Sequence, residues 1–244
     1  MRRPVRVLTW NVQGSHGLDV PAVADVIRGA GVDVIALQEV QRRQAQRLAA
    51  ALSVRSRRWA LKHWPVVHRP EGLAVLTPHP IVRANPFVLR RSWFWAWQRR
   101  VGVDVTVDVA GAPVRVLDVH LSPHGDEAER RREAAVLVER GRRGDAPIVV
   151  GDLNELPGSG AVDTLATAGW VDAWTAADGT TGGGATNWTA GDRRGRPATQ
   201  RIDYVLVPPR ARVAEAAVID AADMDRLSDH LPLVVAVDLA AVGR

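Results

Sequence analysis

The chain has 244 residues, 46% of them hydrophobic, and is therefore long enough to bury a sizeable core. It has no cysteine, which excludes disulfide bonds and thiolate metal sites and leaves oxygen and imidazole groups as the available metal ligands. Arginine and lysine outnumber aspartate and glutamate by 32 to 27, an excess that permits an anionic substrate without requiring one.

The first quarter of the chain alternates between strand-like and helix-like segments. In order, the predicted elements are a strand over residues 5–10, a helix between residues 19 and 31, a strand over residues 32–37 and a helix over residues 41–52. This order is typical of an α/β layer architecture. The two strands lead into Asn11 and Glu39, whose side-chain oxygens can bind a metal ion. Each also has a structural explanation, because Asn11 can form a turn and Glu39 can lie at the favourable N-terminus of the next helix.

The middle of the chain is less regular. Residues 53–69 are basic, and the predicted strand over residues 70–77 carries Glu71 at its start. Trp93, Trp95 and Trp97 would share one face of a strand, either as a stacking platform for bases or sugars or, as we favour, as packing. Two alternating runs, over residues 101–109 and 114–119, predict an antiparallel hairpin that ends at His120.

A predicted helix over residues 126–143 leads to an apolar strand over residues 147–150 and then to Gly151-Asp152-Leu153-Asn154. In an extended backbone, residues two apart point to the same side, so Asp152 and Asn154 would aim at one point beyond the sheet. A carboxylate and an amide placed in this way can bind a hard cation, orient a water or hold a phosphate oxygen. Taken alone, however, the pattern also fits an Asx turn that closes a strand.

The remainder of the chain predicts a short helix up to residue 168, a Gly/Thr-rich loop over residues 172–184, and strands over residues 201–207, 213–219 and 233–239. We find no linker, and predict a single domain over residues 1–244. Many polar residues flank the predicted strands, which indicates a shared site. They are Asn11, Glu39, His120, Asp152, Asn154, Asp203, Asp229 and His230.

Several short motifs resemble those of the endonuclease/exonuclease/phosphatase superfamily. They are Leu8-Thr9-Trp10-Asn11, Leu37-Gln38-Glu39, Val119-His120-Leu121, Gly151-Asp152-Leu153-Asn154, Arg201-Ile202-Asp203-Tyr204 and Ser228-Asp229-His230. Their order and approximate spacing match over nearly the whole chain. The resemblance implies a four-layer α/β/β/α sandwich, in which two mixed β-sheets pack face to face with helices outside. It also implies an enzyme that hydrolyses a phosphoester with Mg²⁺ or Mn²⁺.

The resemblance assigns a first group of residues to the metal and the attacking water. Asn11 and Glu39 would hold the metal, and Asp229 would serve the metal or the water. Asp152 would orient or deprotonate the water, with Asn154 beside it holding a phosphate oxygen. Such a division agrees with phosphodiester chemistry, in which a hard cation offsets negative charge and a carboxylate takes the proton from water.

A second group would contact the phosphate. By resemblance, His230 contacts the scissile phosphate while Asp203 fixes its ring, and His120 is a further phosphate-contacting histidine that pairs with Glu71. An imidazole held by a carboxylate can stabilise the charge that develops on the phosphate. The chain has no cysteine and no G-x-S-x-G elbow, and this mechanism needs no covalent nucleophile.

Substrate choice depends on weaker signals. Either Arg99 or Arg100 could clamp the phosphate. A nuclease acting on DNA or another nucleic acid is favoured by basic stretches at residues 55–58 and 193–196, the second of which lies near Trp188. A solvated arginine-rich surface in a chain with a single lysine explains the same charges equally well. The alternatives are a phosphomonoesterase or a lipid phosphoesterase of the sphingomyelinase or inositol-phosphate type, and a non-catalytic binding module. The chain shows neither a membrane-spanning run nor a signal peptide, and we expect a cytoplasmic monomer.

Overall fold

The computed structural model of the chain describes residues 3–63, 70–90, 99–123, 127–182, 184–188 and 195–239. The strands within these ranges are β1 (Val5–Asn11), β2 (Val34–Val40), β3 (Ser56–His63), β4 (Glu71–Thr77), β5 (Ile81–Arg90), β6 (Arg100–Val109), β7 (Ala112–His120), β8 (Ile148–Asp152), β9 (Val171–Asp172), β10 (Thr180–Thr181), β11 (Asp203–Val207), β12 (Arg212–Val218) and β13 (Leu233–Asp238). The helices are α1 (Val20–Ala30), α2 (Arg42–Ala51), α3 (Glu127–Gly141), α4 (Gly160–Thr167), α5 (Ala173–Ala176) and α6 (Met224–Leu227).

The strands form two mixed sheets. The first has the order β10-β12-β13-β1-β2-β4-β3 and the second the order β5-β6-β7-β8-β11-β9. Within the first sheet β1 runs parallel to β2 and antiparallel to β13, and within the second β7 runs parallel to β8 and antiparallel to β6. The central strands β2, β4 and β8 are buried almost throughout, as expected for strands that are covered on both faces.

Four layers result from the packing of helices on these sheets. Strands β1 and β2 face β8 and β7 across the sandwich, and their apolar side chains form the central core. Val23, Ile27 and Leu48 of α1 and α2 join that core from outside the first sheet. A second cluster joins Leu137 of α3 and Leu165 of α4 to the outer face of the second sheet. The predicted α/β/β/α sandwich is confirmed. None of the helices in the described ranges is both long and apolar enough to cross a membrane.

A polar network connects the two sheets inside the core. The amide nitrogen of Gln38 donates to Asp118 Oδ1 at 2.7 Å and to the Thr9 hydroxyl at 3.1 Å. Asp118 lies on β7 of the second sheet, whereas Gln38 and Thr9 belong to the first. Burial raises the pKa of Asp118 well above its ordinary value, against the effect of the Gln38 hydrogen bond.

The structure departs from the sequence predictions mainly in short or irregular elements. The prediction that residues 172–184 form only loop is wrong, because β9, α5 and β10 lie there. Strands β9 and β10 have two residues each and exist because they pair with β11 and β12, so no local pattern marks them. Strands β3 and β5 and helix α6 were not predicted; β5 is an exposed edge strand and contains Pro86, which obscures its alternation. Trp93, Trp95 and Trp97 lie outside the described residues.

Candidate active site

Three neighbouring strands of the second sheet each supply one site residue at the same level. His120, the last residue of β7, is the register partner of Asp152, the last residue of β8. Asp203, the first residue of β11, is the partner of Asp152 on the other side. The Nε2 atom of His120 lies 3.5 Å from Asp152 Oδ2. Asp152 therefore lies at the centre of a row of three polar side chains that closes one end of the sandwich.

The first sheet brings Asn11 and Glu39 to the same end. Asn11 donates from Nδ2 to Asp152 Oδ2 at 3.0 Å, a hydrogen bond that joins the two sheets. Glu39 has a φ of 54° at the point where the pairing of β2 with β4 shifts register. Its Oε1 lies 3.8 Å from Nδ1 of His120. His120 thus lies between the carboxylates of Glu39 and Asp152, which the sequence analysis expected to meet.

His230 is held by both its ring and its backbone. Its Nδ1 lies 2.8 Å from Asp203 Oδ2, and its Nε2 lies 3.7 Å from Asp152 Oδ2. Its carbonyl accepts from the Trp10 indole at 2.9 Å, and its amide donates to the Ser228 hydroxyl at 3.1 Å. Burial alone would lower the pKa of His230, but the Asp203 and Asp152 carboxylates raise it to about 10. The ring is therefore positively charged at neutral pH.

Asp152 is buried and has an unusual ionisation. Burial, together with the nearby Asp203 carboxylate, raises the pKa of Asp152 to about 7, against the opposing effects of His230, Asn11 and the Asn154 amide. The Asn154 backbone N–H donates to Asp152 Oδ1 at 2.9 Å, and its side-chain amide donates to the Leu121 carbonyl at 3.1 Å. Asn154 has a φ of 51°, in the left-handed region that asparagine tolerates. A carboxylate that titrates near neutral pH is suited to take up a proton.

Asp229 reaches the site through a residue that the sequence analysis did not identify. Gln13 donates from its side chain to Asp229 Oδ2 at 2.8 Å and from its backbone to Asn11 Oδ1 at 3.1 Å. The Ser228 hydroxyl also donates to the Asn11 carbonyl at 2.6 Å. The predicted metal-site residues Asn11 and Asp229 are thereby held together. The spacing of Asn11 and Gln13, two apart at a strand end, is the signal that could have identified Gln13.

Lys62 is a second residue that the sequence analysis did not assign to the site. It lies on β3, its side chain is only 3% exposed, and its Nζ lies 3.0 Å from His120 Nδ1 and 3.6 Å from Glu39 Oε1. Burial, together with the nearby Arg100, lowers the pKa of Lys62 to about 8, although Glu39 and other carboxylates oppose the shift. The available signal was its chemistry, because Lys62 is the single lysine in the chain.

The other predicted site residues occupy different environments. Arg99 is exposed, whereas Arg100 is 9% exposed, and its Nη1 has no hydrogen-bond partner among the described residues. Burial lowers the pKa of Arg100. Burial and the nearby Glu39 carboxylate raise the pKa of Glu71. Glu71 hydrogen-bonds Ser15, so its predicted pairing with His120 stays a prediction. The Trp188 indole is buried in the core and donates to the Arg196 carbonyl at 2.6 Å, so its contact with substrate also stays a prediction.

Two groups of residues at this end could hold a cation. One ligand atom from each of Asp152, Asp203 and His230 lies within 4.8 Å of the others. However, His230 Nδ1 is hydrogen-bonded to Asp203, and Asp152 accepts from Asn11 and Asn154, so these three side chains form a hydrogen-bonded unit. Glu39 is 24% exposed and accepts no hydrogen bond in the described part of the chain. The Glu39 carboxylate, with the Asn11 carboxamide oxygen at the same end, is therefore a second set of oxygen donors of the kind that hard divalent cations prefer.

Comparison with known proteins agrees with this geometry. The model of the Endonuclease/Exonuclease/phosphatase family matches residues 8–230. The chain belongs to this family. A member of this family is a hydrolase of the phosphoesterase type. The match includes every residue placed at the site above. No curated protein matches the chain in sequence.

Solved structures with the same fold differ in the substrates that their names describe. A mannosyl-6-phosphatase of Bacteroides thetaiotaomicron is 18% identical, with a TM-score of 0.77 over 96% of this chain and 99% of that one. Sphingomyelinase C from Streptomyces griseocarneus is 22% identical, with a TM-score of 0.71 over 97% and 100%. TDP2 of D. rerio, complexed with a single-stranded DNA product, is 16% identical, with a TM-score of 0.71 over 96% and 98%. At these identities the similarity establishes the fold, and the substrate has to be argued from the site.

Proposed function

We propose that this family member is a metal-dependent phosphodiesterase that acts on nucleic acid by direct attack of water. The main observation that supports hydrolysis is the set of polar groups around one atom, Asp152 Oδ2. This oxygen accepts from Asn11 Nδ2 and lies 3.5 Å and 3.7 Å from the Nε2 atoms of His120 and His230. A base and two imidazoles around a single point can activate water on one side of a phosphate and bind its oxygens on the other.

The residues of the chain divide the chemistry as follows. Asp152, with its pKa raised to about 7, orients the water and takes its proton. His230, kept as an imidazolium by Asp203, donates a hydrogen bond from Nε2 to a phosphoryl oxygen. A preorganised donor of this kind stabilises the charge that develops in the transition state. Asn154 holds Asp152 in place through its backbone N–H.

The metal would be held by Glu39 and the side-chain oxygen of Asn11, with Asp229 positioned beside them by Gln13. When bound, Mg²⁺ or Mn²⁺ supplies positive charge that offsets the charge of the phosphate. Arg100 is the better candidate of the two arginines for a phosphate clamp. Its buried Nη1 has no partner in the described residues, and such a donor gains from meeting an anion.

A basic face next to the site supports nucleic acid as the substrate. Residues 40–70 contain no aspartate or glutamate, and α2 and β3 expose arginines that form no ion pair within the described residues. Arg42, Arg57 and Arg58 line a cavity of about 350 Å³ beside Trp59. Arg58 is four residues from Lys62 on β3, so its backbone lies about 13 Å along the strand from this residue. A groove of this charge suits a chain of phosphates that continues beyond the scissile one.

A hydrolysis panel tests the reaction. Plasmid DNA, abasic DNA, RNA, sphingomyelin, inositol phosphates and bis-p-nitrophenyl phosphate are each incubated with Mg²⁺ or Mn²⁺ and with the metal-free protein. We expect metal-dependent cleavage of nucleic acid, which Asp152→Ala abolishes. Asp163→Ala, an exposed position on α4, is the matched control and should keep full activity. Hydrolysis of lipid or phosphomonoester alone would contradict nucleic acid as the substrate. Activity of Asp152→Ala equal to that of the wild type would contradict the proposed mechanism.

Salt dependence tests the basic face. In the double variant Arg57→Gln/Arg58→Gln we expect KM for DNA to rise and the slope of log KM against log salt to fall by about 2, because two phosphate contacts are lost. Hydrolysis of bis-p-nitrophenyl phosphate should not change, since this small substrate does not reach the face. Arg142→Gln/Arg143→Gln, at the end of α3 on the opposite outer layer, is the charge-matched control. An unchanged slope would show that the α2 and β3 arginines do not bind the substrate.

A further inference from the structure

The two histidines of the site are held by groups of opposite charge. Nδ1 of His230 faces the Asp203 carboxylate at 2.8 Å, whereas Nδ1 of His120 faces the Lys62 ammonium at 3.0 Å. A carboxylate only accepts hydrogen bonds, so Nδ1 of His230 carries a proton. An ammonium group only donates them, so Nδ1 of His120 must be the accepting nitrogen. In neutral His120 the proton therefore lies on Nε2.

We propose that Lys62 is a positioning residue that fixes His120 as the Nε2–H tautomer, which makes His120 a hydrogen-bond donor at the reaction centre. Nε2 of His120 and Nε2 of His230 lie 3.5 Å and 3.7 Å from the same atom, Asp152 Oδ2. Both rings thus direct an N–H at the place where the phosphate meets the base. His120 cannot act as a second base from this position, because the lone pair of its Nδ1 accepts from Lys62.

The backbone of β3 explains how a lysine reaches this position. The pairing of β3 with β4 shifts register between Leu61 and His63, so Lys62 is the additional residue of a bulge. Bulges turn a side chain away from the regular alternation and are common beside active sites. Here the bulge directs Lys62 from the first sheet to His120 on β7 of the second. The contact crosses the sandwich, and both side chains are buried.

The chemistry of the group also fits this role. The chain has 32 basic residues, and Lys62 is the single lysine among them. An ammonium is a compact charge with three rotatable donors, one of which can point at a single ring nitrogen in a confined space. The Lys62 side chain is only 3% exposed, so its ammonium is largely removed from bulk water. Its proximity to Glu39 provides the compensating negative charge.

Nuclear magnetic resonance of the histidine rings tests the tautomer directly. Long-range ¹H–¹⁵N correlation spectra of the metal-free, ¹⁵N-histidine-labelled protein are recorded, and the His120 signals are assigned by their loss in His120→Gln. We expect Nδ1 at the chemical shift of an unprotonated ring nitrogen and Nε2 at that of a protonated one. Lys62→Met, which keeps the apolar stem, should give averaged shifts of a mixed tautomer, and Lys62→Arg should restore the wild-type pattern. A protonated Nδ1 in the wild-type protein would overturn the proposal without requiring any variant to fold.

Kinetics provide a second measurement, which rests on the phosphodiesterase activity proposed above. At saturating Mg²⁺, Lys62→Met should lower kcat for bis-p-nitrophenyl phosphate about ten- to hundredfold while KM changes little, as for other groups that orient an active-site imidazole. Lys62→Arg should recover a large part of the loss. Unchanged kcat or unchanged ring shifts in Lys62→Met would overturn the positioning role. If the wild-type protein hydrolyses none of the phosphoesters, the proposed function fails, and the ring shifts still decide the role of Lys62.

Discussion

Replacing Asp203 by asparagine tests how the site keeps His230 charged. Asp203 and Asp152 together raise the pKa of His230 from 6.5 to about 10, although burial opposes them. In Asp203→Asn the ring keeps a hydrogen-bond partner but loses the nearer negative charge. Burial then opposes the remaining Asp152 carboxylate, and we expect the pKa of His230 to return to about 6.5 or below.

The size of the effect follows from the population of imidazolium. A histidine with a pKa of 6.5 is about 3% protonated at pH 8 and about three-quarters protonated at pH 6. The wild-type ring, with its pKa of about 10, is charged at both pH values. If the imidazolium is the active form, kcat/KM of Asp203→Asn should be at least about 30-fold below wild type near pH 8. For a pKa of 6.5, the deficit from this cause near pH 6 should shrink to within about twofold.

The assay is hydrolysis of bis-p-nitrophenyl phosphate at saturating Mg²⁺ and constant ionic strength, with variant and wild type compared at each pH. The ratio of the two removes the titration of groups whose pKa the substitution leaves unchanged. The pKa of Asp152, which Asp203 raises and His230 lowers, is read separately from the two pH profiles. Asp33→Asn is the matched control, because Asp33 also contacts a histidine, His79, at 2.8 Å. Asp33 directly precedes β2 and therefore lies at the far end of that strand from Glu39. The ratio of kcat/KM for Asp33→Asn to that for wild type should stay near one at every pH. An Asp203→Asn deficit of the same size near pH 6 and pH 8 would refute the argument.

The remaining predictions concern stability and metal binding. Gly151→Ala should lower the free energy of unfolding, measured in urea, by at least about 3 kcal/mol. The φ of Gly151 is +135°, and a Cβ there would lie 1.9 Å from the Val119 carbonyl oxygen. Gly111→Ala is the control and should destabilise less, because Gly111 also has a positive φ but a Cβ there would meet open space. Asp118→Asn should stabilise the protein at pH 7 but hardly at pH 4. The pKa of Asp118 is raised in the folded state, so the wild-type protein loses stability as pH rises above the unfolded-state pKa of this aspartate. Equal stabilisation at both pH values would contradict the cost of burying the Asp118 charge. Glu39→Gln should weaken Mg²⁺ binding, measured by calorimetry, by about tenfold or more, because a charged oxygen ligand is replaced by a neutral one; unchanged affinity would place the metal elsewhere.

Most of the sandwich was predictable because its signals are local. The strands β1, β2, β7 and β8 are rich in apolar residues, and each carries at or next to its carboxyl end a polar residue that sequence motifs identify. Helix α1 has its own start and stop in Asp19 and Gly31, the first of which caps the helix by accepting from the Ala22 amide. The edges of the sheets were harder to predict, since β9 and β10 depend on partners distant in sequence.

By itself, the sequence identified the polar residues beside the strands that the fold brings together. They are Asn11, Glu39, His120, Asp152 and His230, and they could be found from motifs and strand periodicity because both are properties of neighbouring residues. Only the tertiary structure decided what surrounds them. It placed Lys62 at 3.0 Å from Nδ1 of His120, closer than the Glu39 carboxylate at 3.8 Å. It also inserted Gln13 between Asn11 and Asp229, and distinguished buried Arg100 from exposed Arg99. Lys62 and Gln13 act across contacts between segments far apart in the chain. Their positions depend on a bulge, a left-handed turn and the packing of two sheets, which no local pattern of residues specifies.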